Sequence, residues 1–430
     1  MISRAALSRG AQLAARRQAS SKLVQRGYAA AASSAPSSFT YETTDVAGVK
    51  TATRDSHGPT TKLAVVAKAG TRYQPAPGLT NTQKRTALRL QREAELLGGQ
   101  LVSYHTREAL VLEARFLRED IPYFTELLAE SISQTKYTTY EYQEDVERVI
   151  HIKQAKVQAD AAALALDSAH AVAFHHGLGA PLYPSPSTPL KGYLDENSIA
   201  SFSEAVYAKS NIALVGDGAT SSALSKWTEQ FFKNVPASPS GSMTLNSKAT
   251  TYYGGEQRTS HTGGNSLVMA FPGSSFGNFK PEIAVLASLL GGQSSIKWAP
   301  GFTLLAKAAA SSPGATATAT NLTYSDAGLL TIQVNGSASG IRTASQGAVK
   351  ALKSIAEAVE SGISTILAAG SGIVHSGKPF QVAETAKSIE GVTAEQLKTA
   401  AKALLEGKAS VAAVGDLHVL PYAEELGLTV

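Results

Sequence analysis

Two short segments that each occur twice constrain this chain more than any other feature. The sequence Leu-Leu-Gly-Gly-Gln at 96–100 returns at 289–293, and the segment 209–217 returns in related form at 408–416. Because the offsets, 193 and 199 residues, are nearly equal and the order is kept, the pattern predicts a duplicated domain. An apolar helix before Gly-Gly predicts a left-handed residue past the last turn, and a β-branched run before Gly-Asp predicts a buried strand.

The size and composition of the chain agree with two domains. A chain of 430 residues exceeds what one core normally organises, and the offsets give about 190 to 200 residues to each half. No cysteine is present, which excludes disulfides, zinc–thiolate sites and thiol nucleophiles and fits a reducing compartment. No stretch reaches the roughly 18 to 20 apolar residues of a membrane-spanning helix, so we expect a soluble or peripheral protein.

The positive charge of the chain is concentrated at its start. The formal net charge is +5, but six basic residues stand before Ala29 without a single acid, and the remainder carries −1. A nucleic-acid binder is expected to keep a basic patch in its folded part, so we expect no nucleic-acid partner. Residues 1–38 are rich in Arg, Ala and Ser, which predicts a mitochondrial transit peptide at 1–28, cut before Ala29, and a flexible leader at 29–38. The alternative interpretation is a basic disordered arm.

Hydrophobic periodicity predicts an ordered alternation of strands and helices in the first half, 39–234. At 109–116, Leu110, Leu112, Ala114 and Phe116 alternate with other residues, as in a strand half-covered by helices. Asp120 is the expected N-cap of the helix that follows. The pattern predicts strands at 61–69, 109–116 and 211–215, helices at 83–97, 120–135, 140–173 and 198–208, and a proline-rich surface loop at 181–189.

The second half, 261–430, repeats this order after a Pro-, Ser- and Gly-rich linker predicted at 235–260. Its predicted strands are 266–271, 327–334 and 410–414, and its predicted helices are 281–290, 343–361 and 393–405. Strands interleaved with helix pairs indicate an α+β fold, in which helices pack on one face of a mostly antiparallel sheet. The span from Ala327 to Gly415 is shorter than its equivalent from Ala109 to Gly216, which predicts a truncated helix after Gly362.

The residue pattern offers no catalytic motif. His170 and Asp167 could share a helix face and His175-His176 form the densest histidine pair, but helix-end surface histidines are the commoner case. The Gly-Asp-Gly at 216–218 lacks the lysine of a phosphate loop, and no Gly-x-Ser-x-Gly elbow stands between a strand and a helix. These observations predict no catalytic, cofactor-binding or metal-ligating residue.

The segments 85–100 and 106–109 resemble the N-terminal half of the pitrilysin/insulinase-like metalloprotease superfamily. They contain Arg-Thr-Ala-Leu, Glu-Ala-Glu-Leu-Leu-Gly-Gly-Gln and Thr-Arg-Glu-Ala. The segments 281–298 and 414–422 resemble most the core protein 2 family of mitochondrial ubiquinol–cytochrome c reductase, respiratory complex III, in its fungal form. The resemblance covers nearly the whole chain after the leader and implies two homologous half-domains with the metalloprotease-like fold.

The resemblance also implies where a metal site would lie. Active members carry His-x-x-Glu-His on the first helix, expected here soon after Gly78-Leu79, and two histidines hold zinc while the glutamate activates water. No histidine lies between His57 and His105. The third ligand, a glutamate of the long helix, would fall near 151–154, where the sequence is His-Ile-Lys-Gln. The resemblance therefore implies an inactive homologue without metal or cofactor.

By resemblance, this chain is expected to be a non-catalytic core subunit that supports assembly and stability of complex III in mitochondrial electron transport. Its implied place is the matrix side of the inner membrane, peripheral to the bilayer. Its implied partners are core protein 1, cytochrome b, the c-type cytochrome and the iron–sulfur subunit, within a dimeric complex. Two alternatives are a free-standing matrix binding protein and the substrate-recognising subunit of the mitochondrial processing peptidase, whose expected glycine-rich loop is poorly matched at 271–277.

Overall fold

The computed structural model describes residues 40–73, 82–183, 195–240, 245, 248–292, 303–312, 314–357, 388–389 and 391–430. The predicted transit peptide and leader lie outside these residues. So do the expected position of the metal motif at 78–81 and the truncated helix predicted after Gly362.

Six strands of the first half form one sheet. They are β1 (Glu42–Val46), β2 (Val49–Arg54), β3 (Thr60–Ala67), β4 (Gln100–His105), β5 (Leu110–Leu117) and β6 (Ile212–Asp217). Their spatial order is β1-β2-β6-β3-β5-β4, in which β2 and β6 run parallel and the other neighbours antiparallel. The central strands β3, β5 and β6 are the three that the sequence predicted.

Five strands of the second half form a second sheet. They are β7 (Gly255–Ser260), β8 (Asn265–Pro272), β9 (Thr316–Thr323), β10 (Gly328–Gly336) and β11 (Ser410–Gly415). Their order is β7-β11-β8-β10-β9, again with one parallel pair, β7–β11. This is the order β2-β6-β3-β5-β4 of the first sheet, which confirms the predicted duplication and the α+β fold. Strand β7 lies inside the segment predicted as a linker, so the second sheet begins earlier than the sequence indicated.

Three predicted helices of the first half are confirmed with shifted ends, and the helix at 221–231 was not predicted. The helices of this half within the described residues are α1 (Ala87–Leu96), α2 (Ile121–Ser133), α3 (Glu147–Ala159), α4 (Ala161–Phe174), α5 (Glu196–Val206) and α6 (Ser221–Phe231). The single helix predicted at 140–173 is wrong, because Asp160 adopts an extended conformation and its side chain accepts a hydrogen bond from the Ala162 amide at 2.9 Å, capping α4. Asp120 stands at the N-cap of α2 without a capping side-chain hydrogen bond.

Four helices of the second half lie within the described residues. They are α7 (Pro281–Leu290), α8 (Leu304–Ala310), α9 (Ala338–Glu357) and α10 (Ala394–Glu406). Thr393 and Gln396 form a reciprocal capping box that starts α10. Among the helices of the described residues, none combines the length and the apolar character that crossing a membrane requires.

The repeated pentapeptide occupies two positions that are not equivalent. At 96–100 it joins α1 directly to the edge strand β4, whereas at 289–293 it follows α7, and α8 still precedes the edge strand β9. Helix α1 therefore corresponds to α8, and α7 has no counterpart among the described residues of the first half. The predicted left-handed turn is confirmed, since Gly98 and Gly291 have φ of +64° and +63°. The prediction that the two copies occupy equivalent positions is wrong.

Each sheet has its own apolar core on one face. In the first half, α1, α2, α5 and α6 cover the sheet, and the ring of Phe124 from α2 stacks on Phe116 of β5 with ring centroids 4.3 Å apart. In the second half, α7 to α10 cover the corresponding face of the second sheet. A six-stranded sheet in the first half and a five-stranded sheet in the second, each covered on this face by helices, thus form the layer arrangement that the sequence predicted.

Helix α4 crosses from the first half to the opposite face of the second sheet. Ala161, Ala165, Ala169 and Ala173 recur every four residues and so form one face of the helix. This face packs on a surface formed by Val268, Ala270, Leu329, Ala412 and Val414. Small side chains let the helix lie close to the strands, so the second sheet is covered on both faces.

Candidate functional site

The connection between β3 and α1 is the place where the resemblance put the metal motif. Its first part, 67–73, lies against the turn between β4 and β5. The Arg72 amide donates to the Arg107 carbonyl at 2.8 Å, and a Cβ atom at Gly70 would lie 2.2 Å from the carbonyl carbon of Arg107. Only glycine allows this approach of two backbones. The connection is therefore held tightly where it leaves the sheet.

The second half contains the same backbone arrangement with different side chains. The Gly277 amide donates to the Ser325 carbonyl at 3.1 Å, as the Arg72 amide does to the Arg107 carbonyl. Within the turns, the amide of Thr106 donates to Ala109 and that of Tyr324 to Ala327. These bonds make Arg72 equivalent to Gly277, and Glu108, directly before Ala109, equivalent to Asp326, directly before Ala327.

The side chain of Arg72 joins the two turns. Its Nη1 donates to Glu108 Oε1 at 2.6 Å and to Asp326 Oδ1 at 2.7 Å, and its Nη2 donates to Asp326 Oδ2 at 2.7 Å. Ser325 adds two bonds to the same glutamate, from its amide to Oε2 at 2.8 Å and from its hydroxyl to Oε1 at 2.6 Å. One guanidinium thus bridges carboxylates of both halves.

The charged groups of this cluster interact strongly because most of them are buried. The side chains of Arg72 and Glu108 are only 3% and 6% exposed. Burial works against the charge of Asp326, but hydrogen bonds from Arg72 and from the Thr250 amide outweigh it and hold the pKa of Asp326 at about 2. Burial also lowers the pKa of Arg72, and the two carboxylates more than reverse this, so its pKa lies above the ordinary value. Arg72 and Asp326 therefore stay charged at physiological pH.

A second buried arginine, Arg107, ties the same turn to α4. Its guanidinium donates to Asp167 and to the carbonyl of Ala180, and to the carbonyl of Leu178 at 3.0 Å. Burial raises the pKa of Asp167, against the nearby charge of Arg107. Asp167, which the sequence grouped with His170 on one helix face, is thus the carboxylate partner of an arginine.

His170 is a core residue. Its Nε2 lies 2.8 Å from the Tyr324 hydroxyl and its Nδ1 lies 2.7 Å from the Leu166 carbonyl, so we assign the proton to Nδ1 and let the tyrosine donate to Nε2. Burial, with the nearby charge of Arg107, lowers the pKa of His170 to about 3. Burial raises the pKa of Tyr324 to about 12. Both groups are neutral near pH 7 and offer no general base.

Two further histidines of the described residues, His175 and His105, make contacts at the end of a helix and with a loop. His175 ends α4 with a φ of +56°, and its ring stacks on Tyr253 with centroids 4.2 Å apart. The Nε2 atom of His105 lies 3.0 Å from the Leu182 carbonyl. These contacts are those of surface and loop histidines, which is the interpretation that the sequence favoured.

The expected position of a third metal ligand lies on α3. There the His151 Nδ1 atom and the Gln154 Oε1 atom are 3.1 Å apart, and Glu147 lies one turn earlier, 3.7 Å from His151 Nε2. Gln154 is buried, whereas His151 points to solvent with its side chain 59% exposed. Across the described residues, no group of three or more His, Asp or Glu side chains is placed to hold a metal ion. The absence of a site remains a prediction.

The edge strand β4 and helix α1 present apolar side chains to solvent. The exposed fractions are 38% for Leu101, 46% for Tyr104, 59% for Leu88 and 85% for Leu96. At the equivalent edge of the second half, Gly291 after α7 accepts a hydrogen bond from the Ala319 amide of β9 at 2.8 Å. Among the described residues, the segment after α7 thus hydrogen-bonds to the edge strand of the second half, whereas β4 of the first half is paired only with β5.

The contacts of Arg72 and Arg107 connect parts of the fold, and among the described residues they form no hydrolytic centre. The ionised groups are paired across the two halves, and the buried histidine is neutral. The sequence interpretation named Arg107 and Glu108 only as part of a resemblance and missed Arg72 and Asp326. The signal available was a pair of acids, each directly before an alanine that starts a buried strand, in both copies of the repeat.

Comparisons with known proteins give consistent matches. The family model described as Insulinase (Peptidase family M16) matches residues 50–185. The chain is 59% identical to cytochrome b-c1 complex subunit 2, mitochondrial, of Neurospora crassa over the full length of both chains. It is 36% identical to the protein of the same name from Cryptococcus neoformans, over 90% of this chain and 94% of that protein.

A further relative belongs to a different assembly. Mitochondrial-processing peptidase subunit alpha-2 of Dictyostelium discoideum is 27% identical, over 86% of this chain and 89% of that protein. The alignment with the Neurospora protein spans 460 positions, more than the 430 residues of this chain, so that relative contains segments that this chain lacks.

Proposed function

This chain belongs to the cytochrome b-c1 complex subunit 2 family, and we propose that it is a core subunit of that respiratory complex in mitochondria. Identity of 59% over the full length of the Neurospora relative carries the proposal. The peptidase-like match at 50–185 fits a subunit built on a metalloprotease framework. Its role is to support the assembly and stability of ubiquinol–cytochrome c reductase during electron transport.

We propose that the subunit acts without catalysis of its own. The chain has no histidine between 57 and 105, where the two zinc-binding histidines of the superfamily would stand. On α3, the position expected for the third ligand has the buried amide of Gln154 instead of a carboxylate. A protease-like chain with this donor set supplies neither the metal ligands nor the base that a zinc hydrolase needs.

The proposed mode of action is permanent contact with other subunits. We expect a homologous partner, core protein 1, and contacts to cytochrome b, the c-type cytochrome and the iron–sulfur subunit, in a dimeric complex on the matrix side of the inner membrane. Permanent interfaces bury on the order of 2,000 Å² or more and are apolar at their centre. The exposed apolar side chains of α1 and β4 supply surface of this kind.

The second candidate is the substrate-recognising subunit of the mitochondrial processing peptidase. The Dictyostelium relative favours it, but at 27% identity against 59%. The segment at 271–277 has only two glycines, Gly273 and Gly277, and each is held by a backbone hydrogen bond to the second sheet's turn. A mobile run of consecutive glycines, expected of that subunit, is therefore not provided by these residues.

Co-migration after mild detergent extraction separates the candidates. We expect the tagged full chain to run on a native gel in a band that also carries haem and cytochrome b. A soluble heterodimer that processes presequences would support the second candidate, and a monomer would support the alternative of a free-standing matrix binding protein. N-terminal sequencing of the mature subunit tests the proposed mitochondrial transit peptide. We expect a mature N-terminus near Ala29, and an N-terminus at Met1 would contradict the proposal.

A further inference from the structure

The chain is divided in space at a different place from its division in sequence. The first group contains the first sheet with α1, α2, α5 and α6. The second group contains the second sheet, α7 to α10 and also α4, because the alanine face of α4 packs on that sheet. The Gln333 side chain of β10 adds a hydrogen bond to the Ala162 carbonyl of α4 at 2.9 Å.

Buried charges cross between these two groups at one edge. Arg72 and Glu108 from the first group bond to Ser325 and Asp326 of the second, at 2.6 to 3.1 Å. Arg107 reaches Asp167 of α4 from the same turn. Directional bonds of this type hold two surfaces in one relative position, whereas apolar contacts tolerate sliding.

The connection between the halves meets the same cluster. The Arg72 Nη2 atom donates to the Lys248 carbonyl at 3.1 Å, and the Thr250 amide donates to Asp326 Oδ2 at 2.9 Å. Two glycines with positive φ follow: Gly254, at +83°, directly precedes β7, and Gly255, at +136°, is its first residue. The guanidinium thus contacts both turns and the later part of the segment that joins the two halves.

We propose that Arg72 is a latch that sets the angle between the two groups. The position equivalent to Arg72 in the second half is Gly277, so the pseudo-symmetric junction has one guanidinium for two acids and no second arginine at that position to replace it. A planar fork can bond two carboxylates at fixed angles, which a lysine cannot do. Without this side chain the two groups move relative to each other, within the limits set by the chain segments that cross between them, while each keeps its own core.

Distance measurements between spin labels test the latch in the full chain. The chain has no cysteine, so Gln230→Cys on α6 and Lys350→Cys on α9, both exposed positions, give one label on each group without background. We expect one narrow distance distribution in the otherwise unchanged chain, kept in solution by mild detergent. Arg72→Met with Glu108→Gln, which removes the guanidinium together with the buried carboxylate that it binds, should broaden or shift it by several ångströms.

Asp326→Asn and Arg54→Met complete the experiment. Asp326 is one-third exposed, so its neutral amide is compatible with a folded chain, and we expect the same broadening. Arg54 forms a bidentate pair with Asp217 inside the first sheet, at 3.1 and 2.7 Å, so Arg54→Met should leave the distribution unchanged. The proposal is overturned if the folded Asp326→Asn chain keeps the narrow distribution, or if Arg54→Met broadens it equally. Circular dichroism shows whether each variant is folded. If the double variant does not fold, the result for Asp326→Asn alone decides the test.

Discussion

Glu108 and Asp326 occupy equivalent positions of the two halves and bind the same guanidinium, that of Arg72. Each carboxylate stands directly before an alanine that precedes a central strand, β5 or β10. The duplication therefore brings two carboxyl groups together on one guanidinium, which comes from the first half. Removal of that guanidinium takes a shared hydrogen-bond donor from both of them.

Removal of the arginine alone should cost much more than removal of the arginine with one acid. Arg72→Met removes the guanidinium that binds the buried Glu108 carboxylate, and we expect the free energy of unfolding to fall by about 3 to 5 kcal/mol. Arg72→Met with Glu108→Gln should recover a measurable part of that loss. Urea denaturation followed by fluorescence checks this, and equal losses in the two variants would contradict the assignment of the buried charge.

The alanine face of α4 should not accept larger side chains. Ala169 is fully buried against the second sheet, so Ala169→Leu should lower the free energy of unfolding by about 1 to 3 kcal/mol through overpacking. Ala155 on α3 is exposed, and Ala155→Leu should change it by less than about 0.5 kcal/mol. Thermal melting of both variants measures the difference, and similar values would refute the packing of α4.

Gly70 should be irreplaceable even by alanine. The added Cβ would lie 2.2 Å from backbone atoms of Arg107 and Glu108, so Gly70→Ala must separate the two segments, and we expect a loss of about 3 kcal/mol or more. The control is Gly58→Ala, where the nearest heavy atom is the Ser56 hydroxyl oxygen at 3.7 Å. That variant should stay within about 0.5 kcal/mol of the parent chain in the same melting experiment.

Proton binding by His170 should make the chain less stable as the pH falls. Burial lowers the pKa of His170 to about 3 in the folded chain, whereas the unfolded chain binds a proton near its ordinary value of 6.5. Between these values the unfolded state holds more protons, so the free energy of unfolding should decrease by up to about 1.4 kcal/mol per pH unit. Urea midpoints from pH 6.5 to 4.5 should fall less steeply in His170→Gln. Parallel curves would show that His170 does not carry the effect.

Metal removal should have no effect on this subunit. If the chain lacks the donor set of a zinc site, as proposed, the purified full chain should contain far less than one zinc per molecule after gel filtration. Its melting temperature should be the same with and without a chelator, because no folding free energy would come from metal binding. One tightly held zinc per chain, measured by mass spectrometry, would contradict the non-catalytic assignment.

The sequence predicted the centre of each sheet better than its edges. Strands β3, β5, β8, β10 and β11 carry apolar runs or alternation because at least one face is buried. The edge strands β4 and β7 are largely exposed, and β9 is built from Thr, Ala and Asn. Their residues hydrogen-bond to one neighbour without burying an apolar face, so periodicity gives no signal for them.

The charged junction could not be predicted from sequence because its partners are far apart in the chain. Arg72 and Asp326 are 254 positions apart, and each resembles an ordinary charge of a surface turn when taken alone. The repeated sequence Leu-Leu-Gly-Gly-Gln also led to a wrong alignment of the two halves. Gly-Gly after a helix is a frequent local solution for its C-terminus, so identical letters can arise at positions that are not equivalent.

The placement of α4 sets the order in which this chain can complete its folding. The helix is made early, at Ala161–Phe174, but strand β11 of the sheet that receives it lies at Ser410–Gly415. During synthesis from the N-terminus, its alanine face has no complete surface to pack on until nearly the whole chain has emerged. The packing of α4 therefore cannot be completed before the second half is made. In a shortened chain without β11, both α4 of the first half and the sheet of the second half would lack part of their packing surface.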